Sequence, residues 1–161
     1  MAKDKTEKTN VMRILDQKKV PYGSYSYADT DAISGVEVAS ALGQDPAAVF
    51  KTLVTTGRTG EHYVFMIPVA EELDLKKAAS AAGEKAIEML KSKELLPLTG
   101  YVHGGCSPIG MKKQFVTVIH TSASELPKII FSAGKIGYQV ELAPADLAKV
   151  IRYTFADVIV E

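Results

Sequence analysis

Apolar residues follow two different periods along this chain, and the alternation of these periods predicts both helices and strands. Helical spacing, together with capping residues, predicts five helices, at residues 6–19, 35–42, 74–83, 91–96 and 144–151. Runs of β-branched and aromatic residues predict seven strands, at residues 49–56, 62–68, 86–89, 115–120, 128–132, 138–142 and 155–160. Pro97 is expected to end the fourth helix early, because proline lacks a backbone N–H.

The order of these elements predicts the fold class. Short turns join several consecutive strands, and such connections favour antiparallel pairs. We therefore predict an α+β (mixed α/β) fold, with a mixed, largely antiparallel β-sheet or partial barrel surrounded by helices. A length of 161 residues suits a single domain over residues 1–161, in which we expect residues 1–5 to be flexible.

Composition narrows the function classes. The chain is 47% hydrophobic and 24% charged, as in an ordinary globular protein, and its formal net charge is zero. A neutral chain is not expected to bind a polyanion strongly by itself, and we expect no DNA partner. Membrane association is not expected, since no apolar run approaches the roughly 20 residues of a membrane span. The single cysteine, Cys106, and the lack of a signal-peptide core favour the cytoplasm.

A glycine-rich segment at residues 99–113, TGYVHGGCSPIGMKK, predicts the wall of a pocket. It carries four glycines, and glycine leaves the backbone bare enough for a ligand to approach closely. Cys106 could act as a nucleophile with His103 as its base, but no third orienting group is evident. The histidines lack metal-ligand spacing, and no phosphate-loop or dinucleotide motif is present, so no metal and no cofactor is predicted.

Lys51 lies within a predicted strand that otherwise consists of apolar residues and threonine. Alternation places its side chain on the same face as Leu53 and Thr55. A lysine on an inward face is costly unless it meets an anion or a ligand. The alternative is that Lys51 points outward and keeps one face of the sheet solvated, and the residues alone leave both readings open.

A second glycine-rich turn, FSAGKIG at residues 131–137, follows a predicted strand. Free backbone N–H groups near Ser132 and Gly134 could form an anion or oxyanion site there, although a plain glycine-rich hairpin is the alternative. Several lysines lie on or beside the two glycine-rich segments. Such charges commonly only keep a surface solvated. If the fold gathers them on one side, they can instead form a basic rim for nucleic-acid phosphates.

Three segments together resemble the YbaK/EbsC family: VFKTLV at residues 49–54, TGYVHGGCSPIGMKK at residues 99–113, and FSAGKIGYQVELAPADLAKV at residues 131–150. The likeness runs in order along nearly the whole chain. This family comprises free-standing Cys-tRNA(Pro) deacylases, which are relatives of the editing domain of bacterial prolyl-tRNA synthetase. The resemblance therefore implies that fold, an aminoacyl-tRNA acceptor end as the substrate, and prolyl-tRNA synthetase as a partner. The G-G-x-S-P-x-G-x-K-K form resembles the cysteine-specific branch.

The same resemblance implies roles for individual residues. It implies a catalytic role for three residues: Lys51, Ser132 and Gly134. It implies substrate binding by Tyr27, Thr52, Gly104, Gly105, Ser107 and Gln139, and tRNA phosphate contacts by Lys112, Lys113 and Lys135. Ser34 stands where some family members have an aromatic residue, and Gln139 where some have an aspartate.

The family is described as using the thiol of the substrate itself, which attacks the ester carbonyl, expels the tRNA hydroxyl and leaves a cyclic thioester. Such chemistry accounts for the lack of a convincing Ser-His-Asp or Cys-His set in this sequence. A cation such as Lys51 could lower the thiol pKa from about 8.5, or hold the terminal adenosine and its phosphate. Two alternatives stay open: a deacylase of another mischarged tRNA, such as Ala-tRNA(Pro), and a non-catalytic module that binds an aminoacyl end or a nucleotide.

Overall fold

The computed structural model describes residues 8–32 and 34–161, and these residues contain five α-helices and eight strands. The helices are α1 (Asn10–Gln17), α2 (Gly35–Leu42), α3 (Leu75–Ala82), α4 (Ser92–Thr99) and α5 (Pro144–Leu147). The strands are β1 (Gly23–Ser26), β2 (Phe50–Gly57), β3 (His62–Pro68), β4 (Ile87–Met89), β5 (Val116–His120), β6 (Ile129–Ser132), β7 (Tyr138–Leu142) and β8 (Thr154–Ala156). Single 3₁₀ segments lie at Pro46–Ala48 and Thr121–Glu125.

The strands form two sheets. The smaller sheet has the order β1-β7-β6 and is antiparallel throughout. The larger sheet has the order β4-β2-β3-β5-β8, in which β2 pairs antiparallel with β3 and β4, whereas β5 runs parallel to both of its neighbours. A parallel bridge between Val49 and Ile130 joins the two sheets. The predicted α+β fold with mixed, largely antiparallel strands is therefore confirmed.

Capping residues set the helix ends as the sequence predicts. The side chains of Ser34 and Asp74 accept hydrogen bonds from backbone N–H groups in the first turns of α2 and α3. Gly43 and Gly83 end these helices in the left-handed region, with φ angles of 68° and 77°. The first helix is confirmed from residue 10, with Thr9 as its cap, but it ends at Gln17 rather than at residue 19, and its predicted start at residue 6 lies outside the described residues.

The larger sheet carries apolar side chains on both faces. Phe50, Val54 and Met66 belong to the main core, which also contains α1 and the inner face of the smaller sheet. On β3, Phe65 and Ile67 flank Met66, and their side chains pack on the opposite face of the sheet, against α3. Burial on both faces explains why β3 reads as a continuous apolar run. No helix within residues 8–32 and 34–161 is long and apolar enough to cross a membrane.

One strand, β1, was not predicted from the sequence. Its residues Gly-Ser-Tyr-Ser are mostly exposed, so they carry no apolar alternation that could identify a strand. The strand forms because β7 offers it a free edge, with Tyr25 opposite Gln139. Pairing with a neighbour, rather than local propensity, therefore decides this element.

Three further predicted boundaries are wrong. Pro97 does not end α4, because Gly100 N still reaches Leu96 O at 2.8 Å and the helix continues through Thr99. The last helix, α5, ends at Leu147 rather than at residue 151, since the following residues form tighter turns. The final strand stops at Ala156, after which the backbone N–H of Val158 donates to Nδ1 of His120 instead of to a strand.

Candidate functional site

A cavity of about 600 Å³ lies beside the first half of β2. Its walls come from β2, the first turn of α2, α4 with the residues before it, the loop around Gly104, and the smaller sheet. Clefts of this size, about 300–1,000 Å³, hold small molecules or the ends of larger ones. The cavity therefore has room for more than a single amino acid side chain.

The cavity exists because one edge of β2 is left unpaired. Strand β4 pairs only with Thr55, Thr56 and Gly57. Beyond them, Leu90 N donates to Val54 O at 3.1 Å, and the chain then turns away into α4. The N–H and C=O of one strand residue point to the same edge, and the direction alternates along the strand. The next residue to face this edge is therefore Thr52, whose backbone groups point at the cavity.

Lys51 lines the cavity and is half-buried. It stands opposite Ile67 in the β2–β3 pair. Burial lowers the pKa of its ammonium group, while the charges of Glu72 and Glu71 oppose this shift. A partly desolvated ammonium gains most from an anionic partner, and it also releases its proton more readily than an exposed lysine does.

Ser132 lines the cavity, but Gly134 does not. The backbone N–H of Gly134 donates to Ser132 Oγ at 3.1 Å, so the expectation of a free anion-binding N–H at this glycine is wrong. Gly134 has a φ of 90°, and a Cβ there would lie 2.9 Å from Val11 Cγ2 and 3.0 Å from Tyr101 Cε1. Gly134 thus allows the turn to pack on the core. The bond leaves the hydroxyl hydrogen of Ser132 to donate elsewhere.

Thr52 and Gln139 bring further polar groups to the cavity wall. Thr52 Oγ1 is buried and has no hydrogen-bond partner among the described residues. Gln139 is only 5% exposed, and its Oε1 accepts a hydrogen bond of 2.9 Å from Nε2 of Gln44. A buried polar group without a partner costs about 1–3 kcal/mol. A polar ligand would therefore gain by supplying the missing partner.

The glycine-rich segment contributes Gly104 to the cavity, whereas Gly105 and Ser107 lie behind it. A Cβ on Gly105 would lie 3.1 Å from the backbone nitrogen of Ile136, so glycine permits the close approach of two loops. Ser107 is fully buried, and its Oγ accepts from Ile109 N. Tyr27 also lines the cavity, and its N–H donates to the Gly137 carbonyl at 2.8 Å.

The three lysines predicted to meet tRNA phosphates lie outside the cavity lining. Lys112 Nζ donates to the Pro97 carbonyl, 3.3 Å away, near the end of α4. Lys113 Nζ lies 5.8 Å from the centre of the Phe115 ring, and Lys135 Nζ lies 5.5 Å from that of Tyr138. Contacts of this kind between a cation and an aromatic ring are weak at exposed sites. These side chains can therefore change partners when a polyanion arrives.

His103 and Cys106 both line the cavity, but Cys106 is a poor nucleophile. Its side chain is 7% exposed, and burial raises the pKa of the thiol to about 12. The thiolate is the reactive form of cysteine, and a thiol with this pKa is almost entirely protonated at neutral pH. The environment of Cys106 thus argues against a protein thiol as the attacking group.

Sequence reasoning missed the wall that α2 and α4 supply. These residues are mostly apolar and lie outside the glycine-rich motifs; they are Gly35, Val36, Val38, Met89, Leu90, Ser92 and Leu95. The one usable signal was the capping box at Ser34. It predicts where α2 begins, but it does not predict that α2 and α4 line the same cavity. Among residues 8–32 and 34–161, no group of three or more His, Cys, Asp or Glu side chains could hold a metal ion.

Sequence comparisons relate the chain to proteins of translation. A family model described as an aminoacyl-tRNA editing domain matches residues 30–150. A protein of Enterococcus faecalis, named as a candidate Cys-tRNA(Pro)/Cys-tRNA(Cys) deacylase, EbsC, is 49% identical over 160 residues, or 98% of each chain. A proline–tRNA ligase of Pelobacter propionicus is 29% identical over 108 residues, which make up 67% of this chain and 19% of the ligase.

Solved structures share the fold at lower identity. The crystal structure of a candidate trans-editing enzyme for prolyl tRNA synthetase superposes with a TM-score of 0.82, covering 95% of this chain and 99% of the other at 21% identity. Another crystal structure, of a hypothetical protein, gives a TM-score of 0.85 at 22% identity over 94% of this chain. Likeness at this identity is confined to the fold.

The burial of Cys106 predicts slow thiol chemistry in the native protein. At about pH 8, a chromogenic aromatic disulfide should react at least about 100-fold more slowly with the native chain than with the chain unfolded in guanidinium chloride, because little thiolate forms and access is poor. The release of the coloured thiol measures both rates. Similar rates in the two states would show that Cys106 is ionised and accessible, and would return it to the list of nucleophile candidates.

Proposed function

The chain belongs to the aminoacyl-tRNA editing domain family, and we propose that it is a trans-editing deacylase that removes cysteine from mischarged Cys-tRNA(Pro). The observation that carries this proposal is the 600 Å³ cavity, whose wall gathers Lys51, Thr52, Ser132 and Gln139, while burial keeps the thiol of Cys106 in the same wall protonated. Near full-length likeness to a relative named as a Cys-tRNA deacylase supports the choice of cysteine.

The fit between cavity and substrate rests on size and polarity. An aminoacyl-tRNA ends in an adenosine that carries the amino acid as an ester, and a cavity of about 600 Å³ suits both parts together. The unpaired edge at Thr52 supplies a backbone donor and acceptor, and Ser132 supplies a hydroxyl donor. Apolar residues of α2 and α4 line the remainder and limit the water around the ester. The cavity therefore suits a small, partly polar acyl group.

The proposed reaction uses the sulfur of the substrate. The cysteinyl thiol loses its proton, its sulfur bonds to the ester carbonyl carbon, and the bond from this carbon to the tRNA oxygen breaks. The tRNA oxygen takes up a proton, and the acyl group leaves as a cyclic thioester that water opens to cysteine. The positive charge of Lys51 favours deprotonation of the substrate thiol to the thiolate. Hydrogen-bond donors at Thr52 N and Ser132 Oγ stabilise the negative charge that develops on the carbonyl oxygen.

A protein-positioned water acting on Ala-tRNA(Pro) is the second candidate within this family. The observation that favours it is the burial of Lys51, which lowers the pKa of this side chain, because a neutral amine can accept a proton from water. Cysteine-dependent chemistry needs no such base. The two mechanisms therefore differ in whether the substrate must carry a thiol.

The remaining predicted site residues divide by position. Tyr27 and Gly104 line the cavity and are proposed to contact the aminoacyl end, whereas Gly105 and Ser107 shape the loop behind it. Gly134 acts through the hydrogen bond that orients Ser132. We assign Lys112, Lys113 and Lys135 to phosphates of the tRNA acceptor stem, because they lie outside the cavity on loops that flank it.

We further propose that prolyl-tRNA synthetase presents the tRNA. The formal net charge of zero argues against tight binding of tRNA by this chain alone. Likeness to part of a proline–tRNA ligase is consistent with an activity that is joined to the synthetase in some proteins and separate from it in others. Selection of tRNA(Pro) would then come from the synthetase rather than from the cavity.

Replacement of Lys51 tests the site. Lys51→Ala should lower the rate of Cys-tRNA(Pro) deacylation by at least about 100-fold, the usual effect of removing one preorganised electrostatic group. Cys106→Ala should keep most of the activity, because its thiol is protonated and takes no part. Single-turnover release of labelled cysteine measures each rate. Lys149→Ala, which removes an exposed lysine from a surface ion pair, is the matched control.

Equal rates for the native protein and Lys51→Ala would contradict the proposed role of the lysine. Loss of activity in Cys106→Ala, with the thermal midpoint unchanged, would instead point to the protein thiol as the nucleophile. Circular dichroism melts separate these results from a failure to fold. The Lys149→Ala control should match the native rate within about twofold, as expected of a surface substitution.

Binding of tRNA tests the partner. Fluorescence anisotropy with labelled tRNA(Pro) should show weak, salt-sensitive binding to the isolated chain, with little preference over other tRNAs. Adding prolyl-tRNA synthetase should raise the apparent affinity about 10-fold or more, since linked sites gain from effective concentration. Tight and tRNA(Pro)-selective binding by the isolated chain would contradict the partner proposal.

A further inference from the structure

Gln44 makes a long-range contact that no catalytic motif of the sequence indicates. Its Nε2 donates to Oε1 of Gln139 at 2.9 Å, across 95 residues of sequence. Gln139 lines the cavity, whereas Gln44 does not. The contact therefore joins a residue behind the wall to one that faces the ligand space.

The backbone on each side of this contact is firmly placed. Gln44 follows Gly43, the left-handed end of α2, and its own N–H bonds to Ala39 O at 2.8 Å. Gln139 lies in the central strand of the smaller sheet, between Tyr25 and Ser132 on its two neighbours. With both backbones fixed, the main remaining freedom is the orientation of the Gln139 amide.

The two ends of a side-chain amide have almost the same shape but opposite hydrogen-bonding character, so its orientation is decided by its hydrogen bonds. Oε1 of Gln139 accepts the hydrogen bond from Gln44, so Nε2 is the end of this amide that is left to donate to another partner. The side chain of Gln139 is only 5% exposed, and the cavity is the open space that its N–H₂ group can reach. The site therefore presents a donor there, not an acceptor.

We propose that Gln44 is a positioning residue that holds the Gln139 amide with its N–H₂ group toward the cavity, where it donates to an oxygen of the aminoacyl ester. This inference rests on the proposed function for the identity of the ligand. The aminoacyl ester offers acceptor oxygens at its carbonyl and at the ribose. The other polar atom of the Gln44 amide, Oε1, is buried without a partner among the described residues. Gln44 thus retains an unsatisfied buried group while orienting Gln139.

Two substitutions of Gln44 have different expected effects. Gln44→Met removes the donor while keeping the volume, so the Gln139 amide can rotate, and kcat/KM should fall about 10-fold, the value of one hydrogen bond. Gln44→Glu offers a carboxylate that attracts the N–H₂ group of Gln139 and turns its oxygen toward the cavity, so the loss should be larger. Gln17→Met, at the exposed end of α1, is the matched control and should be unchanged.

A double-mutant cycle separates positioning from a structural role. In the Gln139→Met background, Gln44→Met should change kcat/KM less than about twofold, because the group that it orients is gone. An equal loss in both backgrounds would overturn the inference, since Gln44 would then act without Gln139. Unchanged activity of both Gln44 variants would overturn it as well. Thermal melts of each variant identify any loss that comes from unfolding.

A binding readout keeps this inference distinct from the proposed activity. The side-chain N–H₂ signal of Gln139, assigned by its loss in Gln139→Met, should shift when 3′-deoxy-3′-(cysteinylamino)adenosine is added to ¹⁵N-labelled protein. The shift should be lost in Gln44→Glu. A shift without any deacylation of Cys-tRNA(Pro) would refute the proposed function and leave the inference standing. Deacylation without a shift in the native protein would refute the inference alone.

Discussion

The short pairing between β4 and β2 is the constraint on which the site depends. Three residues of β2 are covered by β4, after which the chain leaves the edge at Leu90 and enters α4. Thr52 is left with backbone groups that no strand pairs, and the space beside it becomes the cavity. A longer β4 would satisfy this edge and fill the space. An unpaired strand edge, usually a liability, is here enclosed by helices and loops and faces the cavity.

The site concentrates polar groups that are not satisfied by their neighbours. Lys51 is partly desolvated, and Thr52 Oγ1 is buried without a partner among the described residues. Such groups reduce stability, so their presence around one cavity is best explained by a ligand that completes their interactions. The same wall contains a buried thiol that is kept protonated. The arrangement is therefore suited to binding and polarising a substrate, and less suited to attacking it with a side chain.

Local signals in the sequence predicted most elements because their causes are local. Capping residues placed α2 and α3, and continuous apolar character placed β3. Strand β1 depends on the free edge of β7, and the passage of α4 through Pro97 depends on bonds made after the proline, so neither could be predicted from local pattern. For the site, the alternation of residues along β2 could not show whether the side chain of Lys51 points inward or outward. The engagement of the Gly134 N–H and the contact from Gln44 required the tertiary structure.

In the reaction that we propose, the substrate supplies its own nucleophile within the cavity. The most direct measurement is a panel of deacylation rates under single-turnover conditions, with Cys-tRNA(Pro), Cys-tRNA(Cys), Ala-tRNA(Pro) and Ser-tRNA(Pro). We expect rapid release of cysteine and slow release of alanine and serine, since a methyl group and a hydroxyl provide no accessible anion near neutral pH. Release of serine or alanine as fast as cysteine would contradict attack by the substrate thiol.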